Sequence, residues 1–255
     1  MNSLERTLIL KAGYDHGWEV AVEEGPEQVV LASALHPGHA RVTAAPKGEG
    51  WIVTLPPGPL SRELSRMEPS AHLRGERFAA AREADLGHLL AQAARPARTL
   101  PDHPCNRFAK AVAEELAAAT TSATEVERLV RQRVGQGIYR ESLMDYWGGA
   151  CAVTGIAVPE LLRASHAKPW AECTTDAERL NVFNGFLLCA HLDALFDPYL
   201  MTFDEEGVAV FSTGITKQIR NSLGLANDLT LRWLAPEHRP FLNLHRLRFL
   251  SLAPQ

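Results

Sequence analysis

The chain has 255 residues, 46% of them hydrophobic and 22% charged, enough apolar material for a packed core and too much for a disordered or collagen-like chain. No apolar run approaches the ~20 residues a membrane-crossing helix needs, and Met1-Asn2-Ser3-Leu4-Glu5-Arg6 lacks a secretion-signal profile. A net charge of −4, with 13 basic and 15 acidic residues on either side of position 124, makes neither half globally basic.

The chain opens with turn-punctuated segments that predict strands at Thr7–Lys11, Trp18–Glu23, Gln28–Ala34, Ala40–Ala45 and Trp51–Leu55, a β-meander or small barrel. Pro56-Pro57-Gly58-Pro59 closes that section, after which helical periodicity predicts helices over 76–94 and 106–120, separated by Pro96, Pro101 and Pro104. Thr120-Thr121-Ser122-Ala123-Thr124 reads as a linker. The expected organisation is therefore α+β, with a β-rich domain over 1–122 and a second domain over 123–255. In the first domain, Tyr14, His16, Trp18, His36, His39 and Trp51 are candidates for an aromatic pocket, with filling of a small β-core as the simpler role.

The second domain starts with a helix over 125–147. A turn at Cys151–Thr154 follows, then a strand through Arg163–Ala167, a strand at Gly185–Cys189 and a short helix over 190–197. This strand, loop, strand, helix order collects His166, Asn184, Asp193 and Asp197. The two aspartates stand four apart on one helical face, where their hard oxygens could hold a divalent cation, while Leu192, Leu195 and Phe196 bury the opposite face. Four scattered cysteines, Cys105, Cys151, Cys173 and Cys189, form no CxxC pair, so no disulfide framework or structural zinc is expected and a reducing cytoplasm fits.

Several ordered blocks resemble the HNH endonucleases of restriction-type proteins: Cys151-Ala-Val-Thr-Gly155, Ala164-Ser-His-Ala-Lys-Pro-Trp170, Arg179-Leu-Asn-Val-Phe-Asn-Gly-Phe-Leu-Leu188 and Leu192-Asp-Ala-Leu-Phe-Asp197. Upstream Arg131-Gln-Arg-Val-Gly-Gln136 and Tyr139-Arg140 extend the resemblance, which runs from about 131 to 212. It implies a ββα-metal finger that hydrolyses DNA, with His166 as general base and Asn184 pinning the loop that orients it. Asp193 falls nine residues after Asn184, where the family often has its last His, and becomes a metal ligand, with Asp197 as a second ligand or a support. Oxygen ligands point to Mg2+ or Mn2+.

Arg131, Arg133, Arg140, Lys168 and Arg179 become candidate DNA contacts, Arg179 with a structural salt bridge as an equal alternative. Ser165 departs from the Asp or His that many members carry immediately before the base, and its neutral hydroxyl is a poor substitute. The implied partner is double-stranded DNA, modified in some relatives and read there by the first domain, with a homodimer for cutting both strands. The alternative is a catalytically inactive DNA-binding or regulatory protein on the same fold.

Overall fold

The computed structural model describes residues 1–46, 49–99, 102–118, 124–226 and 228–252. It is a mixture of 47% helix and 18% strand, as α+β requires. Contacts divide the chain into two compact units, Met1–His103 and Pro104–Gln255.

The first unit begins with α1 (Ser3–Asp15), where the short segment Thr7–Lys11 predicts a strand. Two local features decide for a helix. Asn2 and Glu5 form a capping box that satisfies the first free backbone donors, and the buried positions Ile9, Ala12 and Gly13 recur at helical spacing. Strands β1 (Val20–Glu24), β2 (Gln28–Ala32), β3 (Ala40–Ala44) and β4 (Trp51–Thr54) follow close to the predicted positions, as an antiparallel meander.

After α2 (Pro59–Met67) comes β5 (Arg77–Ala80), inside the Ala-rich stretch expected to be helical from 76. Period two prevails there, because Phe78 and Ala80 point inward while Arg77 and Ala79 face solvent, and the strand completes the sheet against β4. The helix proper, α3 (Glu83–Thr99), runs through Pro96 instead of ending before it. Pro96 lies in the last turn, so the ladder bond to the Gln92 carbonyl that it removes is close to the helix end, and it is buried alongside Ala93, Ala94 and Ala97. The unit's core combines Ile9, Val29, Leu31, Val42, Val53, Leu64, Phe78 and Leu90. Trp18 and Trp51 belong to it, Trp18 donating its indole N–H to the Leu90 carbonyl at 2.8 Å, whereas Tyr14 is exposed. Trp18, which packs edge-on against the buried His36 at 4.5 Å, and Trp51 thus take the simpler, core-filling role.

The division between units falls within α4 (Asp102–Ala118), ahead of residue 122, and the linker expected there lies mostly outside the described residues. Most of α4 is tied to α5 (Thr124–Tyr146): Arg107 pairs with Glu141, Arg133 with Glu115, and the Arg131 guanidinium lies over the buried Phe108 ring at 5.1 Å. The second unit continues with β6 (Leu162–His166), α6 (Asp176–Arg179), β7 (Gly185–Cys189), α7 (Ala190–Phe196), the hairpin β8 (Met201–Phe203) and β9 (Ala209–Phe211), α8 (Lys217–Ser222) and α9 (Arg239–Ser251). Strands β6 and β7 pair antiparallel, and both α5 and α7 pack on them. As expected from the sequence, α7 buries Leu192, Leu195 and Phe196.

Beneath α7 lies His245, 1% exposed, held between the Thr202 hydroxyl at 2.9 Å and the Phe196 carbonyl at 2.9 Å. Burial pushes this imidazole down to about 4, against the smaller pull of the Phe196 carbonyl. The unfolded chain therefore binds a proton near pH 6.5 that the folded chain refuses until about pH 4, so stability is full above 6.5 and falls as pH drops across that interval. The loss from this residue approaches about 3 kcal/mol. His245→Gln is expected to flatten that part of the pH dependence of the urea midpoint, and an unchanged slope between pH 7 and 4.5 would refute the assignment.

Candidate active site

The register of the β6–β7 hairpin sets Ser165 opposite Phe186 and His166 opposite Gly185, so His166 ends one strand where the other begins. The chain between them is fastened by Asn184, which is fully buried. Its side-chain carbonyl accepts from the Lys168 N–H at 2.8 Å, and its amide donates to the carbonyls of Lys168 and Glu178 at 3.2 and 3.1 Å. Gly185 is required by close approach, since a Cβ there would sit 1.9 Å from the Ser165 carbonyl oxygen. Within the same loop the Lys168 ammonium donates to both Glu178 oxygens, and this pairing, with the Thr174 N–H, draws the Glu178 carboxyl down to about 2.

His166 sits on this frame with its ring stacked on Tyr139 of α5, centroids 3.8 Å apart, and edge-on to Trp170. Its Nε2 faces the Arg179 carbonyl oxygen at 2.9 Å. A carbonyl only accepts, so Nε2 carries the hydrogen and the neutral ring keeps its lone pair on Nδ1. That nitrogen has no hydrogen-bond partner among the described residues. Burial lowers His166 to about 4 despite the opposing pull of the Arg179 carbonyl, which leaves the imidazole unprotonated at neutral pH. Tyr139, missed by sequence reasoning as a site residue, is buried and donates its hydroxyl to the Asn184 carbonyl at 2.9 Å, so one side chain supports both the base and the loop. Tyr139→Leu is expected to lower kcat about tenfold with KM unchanged, while Tyr139→Phe, which keeps the stack, retains most activity.

The residue before His166 is Ser165. Its hydroxyl donates a short hydrogen bond to the Asp193 carboxylate of α7. Asp197 follows one turn later at the end of the helix, with an exposed side chain. Among the described residues no group of three or more His, Cys, Asp or Glu side chains could hold a metal ion. The donors present are hard oxygens: the Ser165 hydroxyl bonded to the Asp193 carboxylate, and the Asp197 carboxylate one turn further along the helix. They fit an ion of the magnesium type, which keeps several waters and is held by one or two carboxylates together with substrate phosphate. The Cys151 and Cys189 thiols approach each other through the Cys189 N–H, 3.3 Å from the Cys151 sulfur, and Thr154 donates to the Cys151 sulfur and bonds the Cys189 sulfur.

All five cations expected to contact DNA have partners inside the protein. Arg131 pairs with Asp176 at 2.6 Å, Arg133 with Glu115, and Lys168 with Glu178. Arg140 donates to the Pro159 and Leu162 carbonyls at 2.7 Å each and so ties α5 to the start of β6. Arg179 pairs with Asp176 at 3.0 Å and donates to the Cys173 and Trp170 carbonyls. Arg140 and Lys168 thus brace the hairpin and its loop, while Arg131 and Arg179 meet at one carboxylate.

The short strand pair, the loop locked by one buried asparagine and the tautomerically fixed histidine all lie in a segment that a family comparison also singles out. Residues 151–204 match the HNH endonuclease family. The HNH segment contains His166, Asn184, Asp193 and Asp197, whereas Tyr139, Arg131 and the whole first unit lie outside it. A comparison with curated proteins returns no match. Among the described residues no helix is long and apolar enough to cross a membrane.

Proposed function

We propose that the second unit is a divalent-metal-dependent endonuclease acting on double-stranded DNA, with His166 as general base. The observation that carries this reading is the fixed imidazole: Nε2–H committed to the Arg179 carbonyl, and Nδ1 unprotonated and unpartnered among the described residues. Nδ1 takes a proton from a water, the resulting hydroxyl oxygen bonds to phosphorus, and one P–O ester bond breaks, its oxygen leaving with a proton from solvent. Asp193, with Ser165 beside it and Asp197 one turn on, would hold the ion. When bound, Mg2+ or Mn2+ supplies Lewis-acid stabilisation of the charge that develops on the phosphate. Asn184 fixes the loop that presents the Arg179 carbonyl, and Tyr139 fixes the ring plane.

The restriction-type role, with the first unit directing cleavage to plain or modified DNA and two copies cutting the two strands, draws on the family resemblance and the separate first unit. The second reading, an inactive DNA-binding protein, draws on the neutral Ser165 beside Asp193, where many members of the family carry an Asp or His. A nicking assay on supercoiled DNA with Mg2+ or Mn2+, across unmodified, methylated and hydroxymethylated substrates, separates them. Metal-dependent nicking that is lost with chelator supports the nuclease, and no cleavage of any substrate favours the binding protein.

A further inference from the structure

Beside His166 the second unit has a cleft of about 360 Å³ whose lining includes Phe108, Arg128, Arg131, Trp170, Asp176 and Arg179. In a chain of net charge −4, its charged lining is three guanidiniums to one carboxylate. The nearby acids Glu172 and Glu178 are engaged elsewhere, with Arg248 and Lys168. Two of the guanidiniums converge on the one acid: Asp176 takes Arg131 on one oxygen at 2.6 Å and Arg179 on the other at 3.0 Å. Two donors on two oxygens of one anion is also the way arginines hold a phosphate.

The aromatic walls set the guanidinium planes. Arg131 lies over Phe108 at 5.1 Å and Arg179 over Trp170 at 5.8 Å, which limits the freedom of both side chains before any ligand arrives. Trp170 reaches this position because position 135 on α5 is glycine, where a Cβ would lie 2.3 Å from the Trp170 ring. The cleft is contiguous with the base: Trp170 is edge-on to the His166 ring, and the Arg179 backbone carbonyl holds His166 Nε2.

Resting on the nuclease reading, we propose that this cleft is a second phosphate site, holding the phosphate of the cleaved strand next to the one attacked at His166. Arg128 and Arg131 are its positioning residues, and Asp176 is a resident anion that DNA displaces. Half of its lining lies outside the HNH segment, since Phe108, Arg128 and Arg131 come from α4 and α5.

The test is binding of the full chain to a short fluorescent duplex in EDTA, so that no cleavage occurs, over a range of salt. Each of Arg128→Gln and Arg131→Gln is expected to reduce the slope of log affinity against log salt by about 1 and to weaken binding roughly fivefold near 0.15 M salt. Arg128→Lys keeps the native slope, and Asp176→Asn binds several-fold more tightly. Arg128 is exposed, so its replacement leaves the fold intact, as a thermal melt would verify. Native slopes in both glutamine variants, or no binding by the native protein, overturn the proposal. If the slopes fall while His166→Ala still cleaves like the native protein, the phosphate site stands and the assignment of His166 fails. If the slopes stay while His166→Ala is inactive, the reverse holds.

Discussion

His166→Ala is expected to lower the rate of metal-dependent DNA cleavage about 10³-fold, equivalent to roughly 4 kcal/mol of transition-state stabilisation. The size follows from what the residue alone supplies: a proton acceptor already neutral at working pH and already aimed by one fixed hydrogen bond. Binding of DNA in EDTA should change little, because the imidazole is uncharged in either case. His166→Asn sharpens the test, since its amide can still donate toward the Arg179 carbonyl but offers no basic nitrogen. Equal loss in both variants assigns the effect to proton transfer, and recovery in Asn would reassign His166 to a structural role. The acidic limb of the native rate should fall well below pH 6.5, because burial keeps the ring unprotonated down to about 4. A rate that halves near 6.5 would mean that the ring is solvated in the working enzyme.

The elements nearest the chemistry were the most legible in the sequence. Gly185–Cys189 is a run of apolar residues bounded by Asn184 and by the start of a helix, and the strand spans those positions. The apolar stripe of Leu192, Leu195 and Phe196 fixed which way α7 turns, and hence which face keeps Asp193. Legibility failed where a local signal was read on its own. Thr7–Lys11 is a short apolar run of strand length, but Asn2 and Glu5, three apart, carried a capping signal that outweighs it. Arg77–Ala80 is rich in helix formers, yet its two inward positions alternate, and pairing with β4 was the stronger constraint.

Within the site, the hidden part is what tertiary contact alone creates. Tyr139 and His166 are separated by 27 positions and meet only because α5 packs on the hairpin. The partners of Arg131 and Arg140 are also distant in sequence, 45 and 22 positions away, so a charge pattern that reads as an open basic face also ties separate elements together. Electrostatically this matters for substrate. A guanidinium bound to backbone carbonyls, as in Arg140, keeps its positive charge, whereas one bound to a carboxylate, as in Arg133, presents little net field. At Asp176 two arginines share one acid, so their pairing leaves one positive charge over.

Asn184→Ala should have the second large effect, on the loop instead of the chemistry. The alanine leaves the carbonyls of Lys168 and Glu178 without their donor and the Lys168 N–H without its acceptor, in a position that is wholly buried. At about 1–3 kcal/mol for each buried group left unpaired, the cost is about 3 kcal/mol or more. The loss is concentrated between β6 and β7, where the Arg179 carbonyl orients the base, so cleavage should disappear at temperatures where the rest of the second unit remains folded. Asn184→Asp is the informative companion. It preserves shape and the bond from Lys168, but it sets a carboxylate oxygen against two carbonyls, so it should be as damaging as alanine at pH 7. Hydrogen exchange would locate the damage: faster exchange across residues 167–184 with unchanged protection in β8 and α9 is the expected result. Uniform loss of protection would mean that Asn184 holds the whole unit together, and native activity in the alanine variant would remove the loop from the mechanism.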